Sequence, residues 1–221
     1  MGLLIMTVFI FARTQSVPKK FDSVVLITSI GCKSAPIQTV GTVIGDGLVL
    51  TVAHGVAGQT STSITTISGQ VLSARIVAID VNLDLAVLYF DPKELTLDLA
   101  PLKFGDATAG INAYFVAYQN SLQVVRPAKI KRRLLINTQD IYLKADVSRP
   151  GIEVETSVVV GNSGGPIIND NGEIVGVVWS TSRAVENRSW ATRVQATNEL
   201  LLRISEGNPQ SATPKVVACS R

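Results

Sequence analysis

The run Gly161-Asn162-Ser163-Gly164-Gly165-Pro166 has the composition that nucleophilic acyl transfer asks for. A serine hydroxyl is a weak nucleophile unless a neighbouring base takes its proton. Gly161 permits a positive φ, so the amides of Gly161 and Ser163, flanking Asn162, can converge on one point and hold a developing oxyanion. Gly164 and Gly165 keep side chains out of the way, and Pro166 opens an apolar strand at Ile167-Ile168. A Gly-rich hairpin connection would suit the same residues, so the partners decide. The chain has 1 histidine, His54. It closes an apolar hairpin, Gly41 to Ala53, built around the turn Gly45-Asp46-Gly47. A lone histidine there is by itself as compatible with a structural role. The third group is Asp84, in Asn82-Leu83-Asp84-Leu85-Ala86-Val87-Leu88. A carboxylate in so apolar a run needs a partner, although it also suits a strand-opening turn. His54, Asp84 and Ser163 follow one of the chain orders in which acid, base and nucleophile form a triad.

The elements that must position these residues read as all-β. Apolar runs at Val24–Ile27, Thr39–Ile44, Leu48–Ala53, Ser63–Ile67, Val71–Ile79 and Leu85–Tyr89, with turn residues between them, suit a small closed barrel. Asp91 to Gly110, with Pro92 and Pro101, has the composition of a surface crossing segment. A second set follows at Ala113–Ala117, Ile130, Leu134–Ile136, Ile141–Leu143 and Ile152–Val154. After Ser163 come Ile167-Ile168 and Ile174–Trp179 around Asn171-Gly172, a strong hairpin signal, then Trp190–Val194 and a terminal helix over Thr197–Ile204. Two six-stranded antiparallel barrels facing each other would bring His54 and Asp84 against Ser163 in the cleft between them. The expected division is 1–20 as an apolar signal or anchor with a linker, 21–110 as the first barrel with its crossing segment, 111–206 as the second barrel with the helix, and 207–221 as a tail.

From Phe21 to Ser205 the chain resembles chymotrypsin-fold serine proteases of the bacterial trypsin-like group. The likeness rests on Thr51-Val52-Ala53-His54-Gly55-Val56-Ala57-Gly58, Asp84-Leu85-Ala86-Val87-Leu88 and the Ser163 motif. With Cys32 and Cys219, the chain is similar more narrowly to the protease domain of the MarP-like acid-resistance membrane serine proteases of actinobacteria. Members of that group carry several membrane helices before the protease domain, whereas a short apolar segment stands here. No PDZ-like domain is expected to follow. The resemblance implies a serine endopeptidase with Ser163 as nucleophile, His54 as base and Asp84 as orienter. Asn162 stands where pancreatic-type relatives place an aspartate that pairs with a freshly cut N-terminus. An amide cannot form that ion pair, so no processing is expected. The pocket for the residue before the scissile bond is expected from Ser157 through Val160, Trp179-Ser180-Thr181 and Trp190. Val158 and Val159 would equally suit plain core. Ser157 replaces the carboxylate of trypsin-like relatives, which implies small to medium uncharged residues in the substrate. Cys32 and Cys219 lie near the two ends of the domain and are expected to pair in an oxidising compartment, the alternative being two unrelated buried thiols.

The chain has 221 residues, 46% hydrophobic and 17% charged, with a net charge of +3. That balance argues against disorder and implies neither a nucleic-acid nor a lipid partner. One histidine and two distant cysteines make no metal site, and no cofactor is expected. The basic run Arg126 to Arg133 has no interleaved aromatic residues and reads as a solvated strand-and-turn face, with docking of acidic substrates as the lesser reading. Gly2 to Ala12 is an apolar block of about eleven residues, too short to span a bilayer unaided. It is expected to act in export or as a membrane anchor; the tail of a longer helix and a barrel-packed strand remain open. The expected location is extracytoplasmic, the expected partner a protein or peptide substrate, and the expected state a monomer. Two other functions share these residues: a catalytically silent binding module and a serine esterase-type hydrolase.

Overall fold

A computed structural model describes residues 20–205 and 217–220. The first group of strands is β1 (Val24–Ile30), β2 (Ile37–Gly45), β3 (Leu48–Thr51), β4 (Ser61–Thr65), β5 (Val71–Asp80) and β6 (Leu85–Tyr89). They close into a barrel in the order β1-β2-β3-β6-β5-β4, every pair antiparallel. The second group is β7 (Asn112–Gln119), β8 (Leu122–Gln139), β9 (Asp146–Glu155), β10 (Pro166–Asn169), β11 (Ile174–Thr181) and β12 (Arg188–Arg193). These close as β10-β11-β12-β9-β8-β7, again antiparallel. A 3-10 turn at Val194–Thr197 leads into α1 (Asn198–Ser205), whose Leu200 and Ile204 join a buried cluster with Val77 of β5 and Val87 of β6.

The expected all-β fold of two six-stranded barrels is therefore the observed one, and three local expectations change. Ile130 and Leu134–Ile136 belong to a single long strand, β8, carried past a bulge between Ile130 and Arg132. Ile141–Leu143 is a turn, not a strand. The Asp140 carboxylate accepts from the amides of Tyr142 at 3.0 Å and Lys144 at 2.9 Å, which curls the chain at the tip of the β8–β9 ribbon. Ile141 is driven instead into the core of the first barrel, where its amide donates to the Val81 carbonyl. The strand expected to run to Ala53 stops at Thr51, which frees His54 from the sheet. The crossing segment 91–110 is mostly exposed, with Ala107 buried. Residues 2–12 lie outside the described part. Among the described residues no helix is long and apolar enough to cross a membrane.

The two barrels share their cores. Val24, Leu26 and Val40 of the first pack with Phe115, Ile167 and Val178 of the second. Leu50, Val52 and Leu85 pack with Ile174 and Val177. Fully burying such side chains contributes about 1.5–3 kcal/mol each. The seam is thus held by apolar burial, so residues from opposite barrels have fixed relative positions.

Candidate active site

His54 sits just beyond β3, at the start of a tight turn in which the Val56 and Ala57 amides both donate to the Ala53 carbonyl. Val56 and Ala57 are buried and anchor the turn. The His54 backbone amide donates to Asp84 Oδ1 at 2.9 Å, and ring Nδ1 lies 2.8 Å from Asp84 Oδ2. An ionised carboxylate only accepts, so the proton of the neutral ring belongs on Nδ1. Nε2 is left with a lone pair, as a general base needs. The imidazole is 32% exposed and the carboxylate 4%, so the ring reaches solvent while its partner is sealed.

Asp84 occupies the left-handed backbone region at φ 56°, one that Asp tolerates better than most residues. The turn that sets this geometry is made by Asp80, whose carboxylate accepts from the amides of Asn82 and Leu83, each at 2.9 Å. The partner demanded by a buried carboxylate is therefore present twice in His54, and a third group adds to it. Arg149 of β9, 2% exposed, brings a guanidinium nitrogen to 3.6 Å from Asp84 Oδ2. It also donates to the carbonyls of Asn82 at 2.7 Å and Gln139 at 2.9 Å, and lies 4.5 Å from the centre of the Trp179 ring. Burial pushes its pKa down from the ordinary arginine value, and the carboxylates of Asp84, Asp80 and Asp140 oppose that shift. Sequence reasoning missed Arg149: an arginine in a strand beside Pro150 carries no local sign of a partner 65 residues away.

The serine turn comes from the second barrel and is docked onto the first. The Val40 amide of β2 donates to the Ser163 carbonyl at 2.8 Å. Gly164, at φ 86°, lies so close to the Val40 carbonyl and Thr51 Oγ1 that any Cβ would collide with both. Thr51 ends the strand that leads to His54, so this contact fixes the serine turn against that strand. Ser163 Oγ makes no hydrogen bond among the described residues; such contacts often tighten only when substrate arrives. Gly161 adopts φ 91°, the positive value expected of it. The Asn162 amide donates to Val159 at 3.0 Å, whereas the amides of Gly161 and Ser163 donate to no described acceptor, leaving two donors for an oxyanion.

Asn162 is fully buried, and both ends of its side-chain amide are hydrogen-bonded. Its Nδ2 donates to the Tyr118 carbonyl at 2.8 Å; its Oδ1 accepts from Arg126 at 3.1 Å and from the Val159 amide at 3.3 Å. The basic run is thus not a uniformly solvated face, because Arg126 turns inward to this amide. Lys131 and Arg132 do stay outside, paired with Glu155 at 2.9 Å and Glu153 at 2.7 Å.

The other expected residues fall as follows. Ser157 is exposed and Val160 fully so, on the loop before Gly161, while Val158 is half-buried against the second core. Trp179 is half-buried beneath Arg149; Ser180 and Thr181 continue β11, and Trp190 pairs with Ser180 across β12. Cys32 and Cys219 form a disulfide with Cα atoms 5.6 Å apart. It holds residues 217–220 on the histidine turn, where the Ser220 hydroxyl donates to the His54 carbonyl at 2.6 Å. Gly58, at φ 74°, leaves room for the backbone of Cys219. Among the described residues no cluster of His, Cys, Asp or Glu could hold a metal ion.

Residues 39–177, spanning the histidine hairpin, Asp84 and the serine turn, match the family described as the trypsin-like peptidase domain. The chain belongs to that family. It is 30% identical over 167 residues to the serine protease Rv3671c of Mycobacterium tuberculosis, covering 72% of this chain and 40% of that protein. It is 33% identical over 136 residues to a "Probable periplasmic serine endoprotease DegP-like" of Halomonas elongata, covering 60% of this chain and 27% of that protein. The chain therefore spans less than half the length of these relatives. The crystal structure of the Rv3671c protease in its active form superposes with a TM-score of 0.80 at 25% identity, covering 98% of this chain and 100% of that one. An inactive form of the same protease gives 0.70 at 27% identity over 83% of this chain and 89% of that one. The resemblance to the MarP-like group is met by Rv3671c, and the family is that of trypsin-like peptidases.

Proposed function

We propose that this chain is a serine endopeptidase working through His54, Asp84 and Ser163. Ser163 Oγ attacks the peptide carbonyl carbon while His54 Nε2 takes its proton, and the Gly161 and Ser163 amides receive the carbonyl oxygen as it becomes an oxyanion. The imidazolium, held by Asp84, returns that proton to the leaving amine as the C–N bond breaks. Water, deprotonated by the same imidazole, then hydrolyses the acyl-serine. The observation that carries this reading is the Nδ1 contact of His54 with buried Asp84 beside a serine turn docked on the histidine's own strand.

Finer features follow from the same residues. With Ser157 where relatives with basic specificity carry an acid, the residue before the scissile bond is small to medium and uncharged, flanked by Val160, Trp179, Ser180, Thr181 and Trp190. A cleavage profile dominated by Arg would contradict this. No N-terminal processing is required: Phe21 exchanges hydrogen bonds with Gln123, each at 2.8 Å, and Asn162 is satisfied by Arg126. An intact chain inert until cut before Phe21 would overturn that point. The disulfide and the periplasmic DegP-like relative favour an extracytoplasmic location, with residues 2–12 serving export or membrane attachment and the protease acting as a monomer. The deciding experiment is casein hydrolysis by the wild-type chain beside Ser163→Ala under oxidising conditions. Cleavage is expected in the first and lost in the second; undiminished cleavage by the variant refutes the assignment.

A further inference from the structure

The loop from Ser157 to Asn162 carries the first oxyanion donor, yet no strand pairing holds it. It lies between Glu155, the end of β9, and Pro166, the start of β10. Its one internal backbone bond runs from the Asn162 amide to Val159, and Val159 and Val160 project into solvent. Val158 packs on the core and Asn162 is buried, but the rest of the segment gains little from burial, and a peptide plane that turns by a small angle takes the Gly161 donor away from the oxyanion position.

One side chain crosslinks this loop at both ends. Arg126 lies on β8, its Cα opposite Phe115 of β7, a fully buried anchor. A single guanidinium nitrogen of Arg126 donates to the Ser157 carbonyl at 2.9 Å and to Asn162 Oδ1 at 3.1 Å. The other terminal nitrogen donates to Gln119 Oε1 at 3.1 Å, which fixes the fork's rotation. All three acceptors are neutral, so the cation spends its donors on position and not on neutralising a carboxylate. Asn162 sits between the two oxyanion amides and is wholly buried, so its plane transmits the grip of Arg126 directly to Gly161 and Ser163.

We propose that Arg126 is the positioning residue of the oxyanion hole, clasping the loop internally through Asn162 and Ser157. Arg126 makes no hydrogen bond to Ser163; it acts by keeping the Gly161 and Ser163 amides convergent before substrate binds. Because the oxyanion develops only in the transition state, its removal lowers kcat and leaves KM little changed. The proposal rests on the serine-protease reading above.

The test compares the whole wild-type chain with Arg126→Met and Arg126→Lys. The readouts are kcat and KM on a peptide amide that the wild type cleaves, inhibition by the matching peptide aldehyde, whose hemiacetal oxygen occupies the hole, and thermal unfolding. Arg126→Met is expected to lose about 10- to 100-fold in kcat, below the full loss of one oxyanion donor. Its KM should stay within about threefold while aldehyde affinity falls in parallel with kcat/KM. Arg126→Lys, which keeps a cation but cannot span the acceptors as a planar fork, should recover part of the loss. A wild-type kcat and aldehyde affinity in Arg126→Met overturns the proposal, as does a loss confined to KM. Should Arg126→Met fail to fold, Arg126→Lys decides: aldehyde affinity weakened at least about threefold supports the clasp, and unchanged affinity defeats it. An inert wild-type chain defeats the protease reading itself, a result distinct from an active wild type with an indifferent Arg126.

Discussion

The two halves of the candidate site are built on opposite principles. The acid–base half is sealed: Asp84 is buried, satisfied twice by His54, flanked by Arg149, and carried on a turn that Asp80 locks with two hydrogen bonds. The nucleophile half is partly open. Its 157–162 loop has exposed valines and depends on side-chain bonds from Arg126 and Asn162. A base must hold its ring in one orientation while it takes and returns a proton, which favours rigidity. An oxyanion loop must admit substrate beside it, which favours a local tether over burial. Damage to the sealed half should therefore cost both activity and stability, and damage to the open half mainly activity.

The largest effect expected in the sealed half is on catalysis. Asp84→Asn removes the acceptor that fixes the Nδ1–H tautomer and should lower kcat by about 10⁴-fold, measured on a peptide amide. A loss under tenfold would mean that another group orients the ring. Arg149→Met comes next. It strips the Asn82 and Gln139 carbonyls of their donor and leaves Asp84 with less positive charge nearby. Breaking such a buried arrangement costs about 3–5 kcal/mol, read by denaturant unfolding, together with reduced activity. Loss of activity without loss of stability would shift Arg149 from the scaffold to the chemistry.

The disulfide tethers the 217–220 segment to the sealed half. It joins cysteines 187 residues apart, so chain entropy sets a ceiling of about 5 kcal/mol on its contribution. Cys219→Ser should lower the unfolding free energy by less than that ceiling and free Ser220 from the His54 carbonyl, and an unfolding free energy equal to wild type would leave the clamp without energetic weight. The smallest effect is expected at the ribbon tip. Asp140 has its carboxyl held below the ordinary value of 3.8, first by the Lys144 amide and also by those of Tyr142 and Ala145. A depressed carboxyl stabilises the fold above its unfolded pKa, and that contribution disappears as pH falls through the lower folded pKa. Asp140→Asn should therefore be less stable than wild type at neutral pH, with a difference that shrinks as pH drops below 3.8. A pH-independent gap would assign the effect to lost hydrogen-bond geometry alone.

What could be read from the residues follows the same division. His54, Asp84 and Ser163 sit in short motifs whose local chemistry is self-explanatory: a strand-end histidine, a carboxylate in an apolar run, a serine among glycines. The strands are legible because their apolar runs are short and bounded by turn residues; β6 and β10 are buried along nearly their whole length. Arg149 and Arg126 are not legible, since their partners come from other strands and nothing local distinguishes a guanidinium that crosses a core from one that is solvated. Ile141–Leu143 misled for a related reason. Its apolar residues signal a strand, but Ile141 is buried in the opposite barrel, Leu143 is exposed, and the Asp140 turn wins over strand propensity.

The most direct measurement is the mass-spectrometric location of a fluorophosphonate adduct on the oxidised wild-type chain. The account predicts one phosphonylated peptide, bearing the label on Ser163 and absent from His54→Ala. Label on another residue, or undiminished labelling of Ser163 without His54, would contradict it.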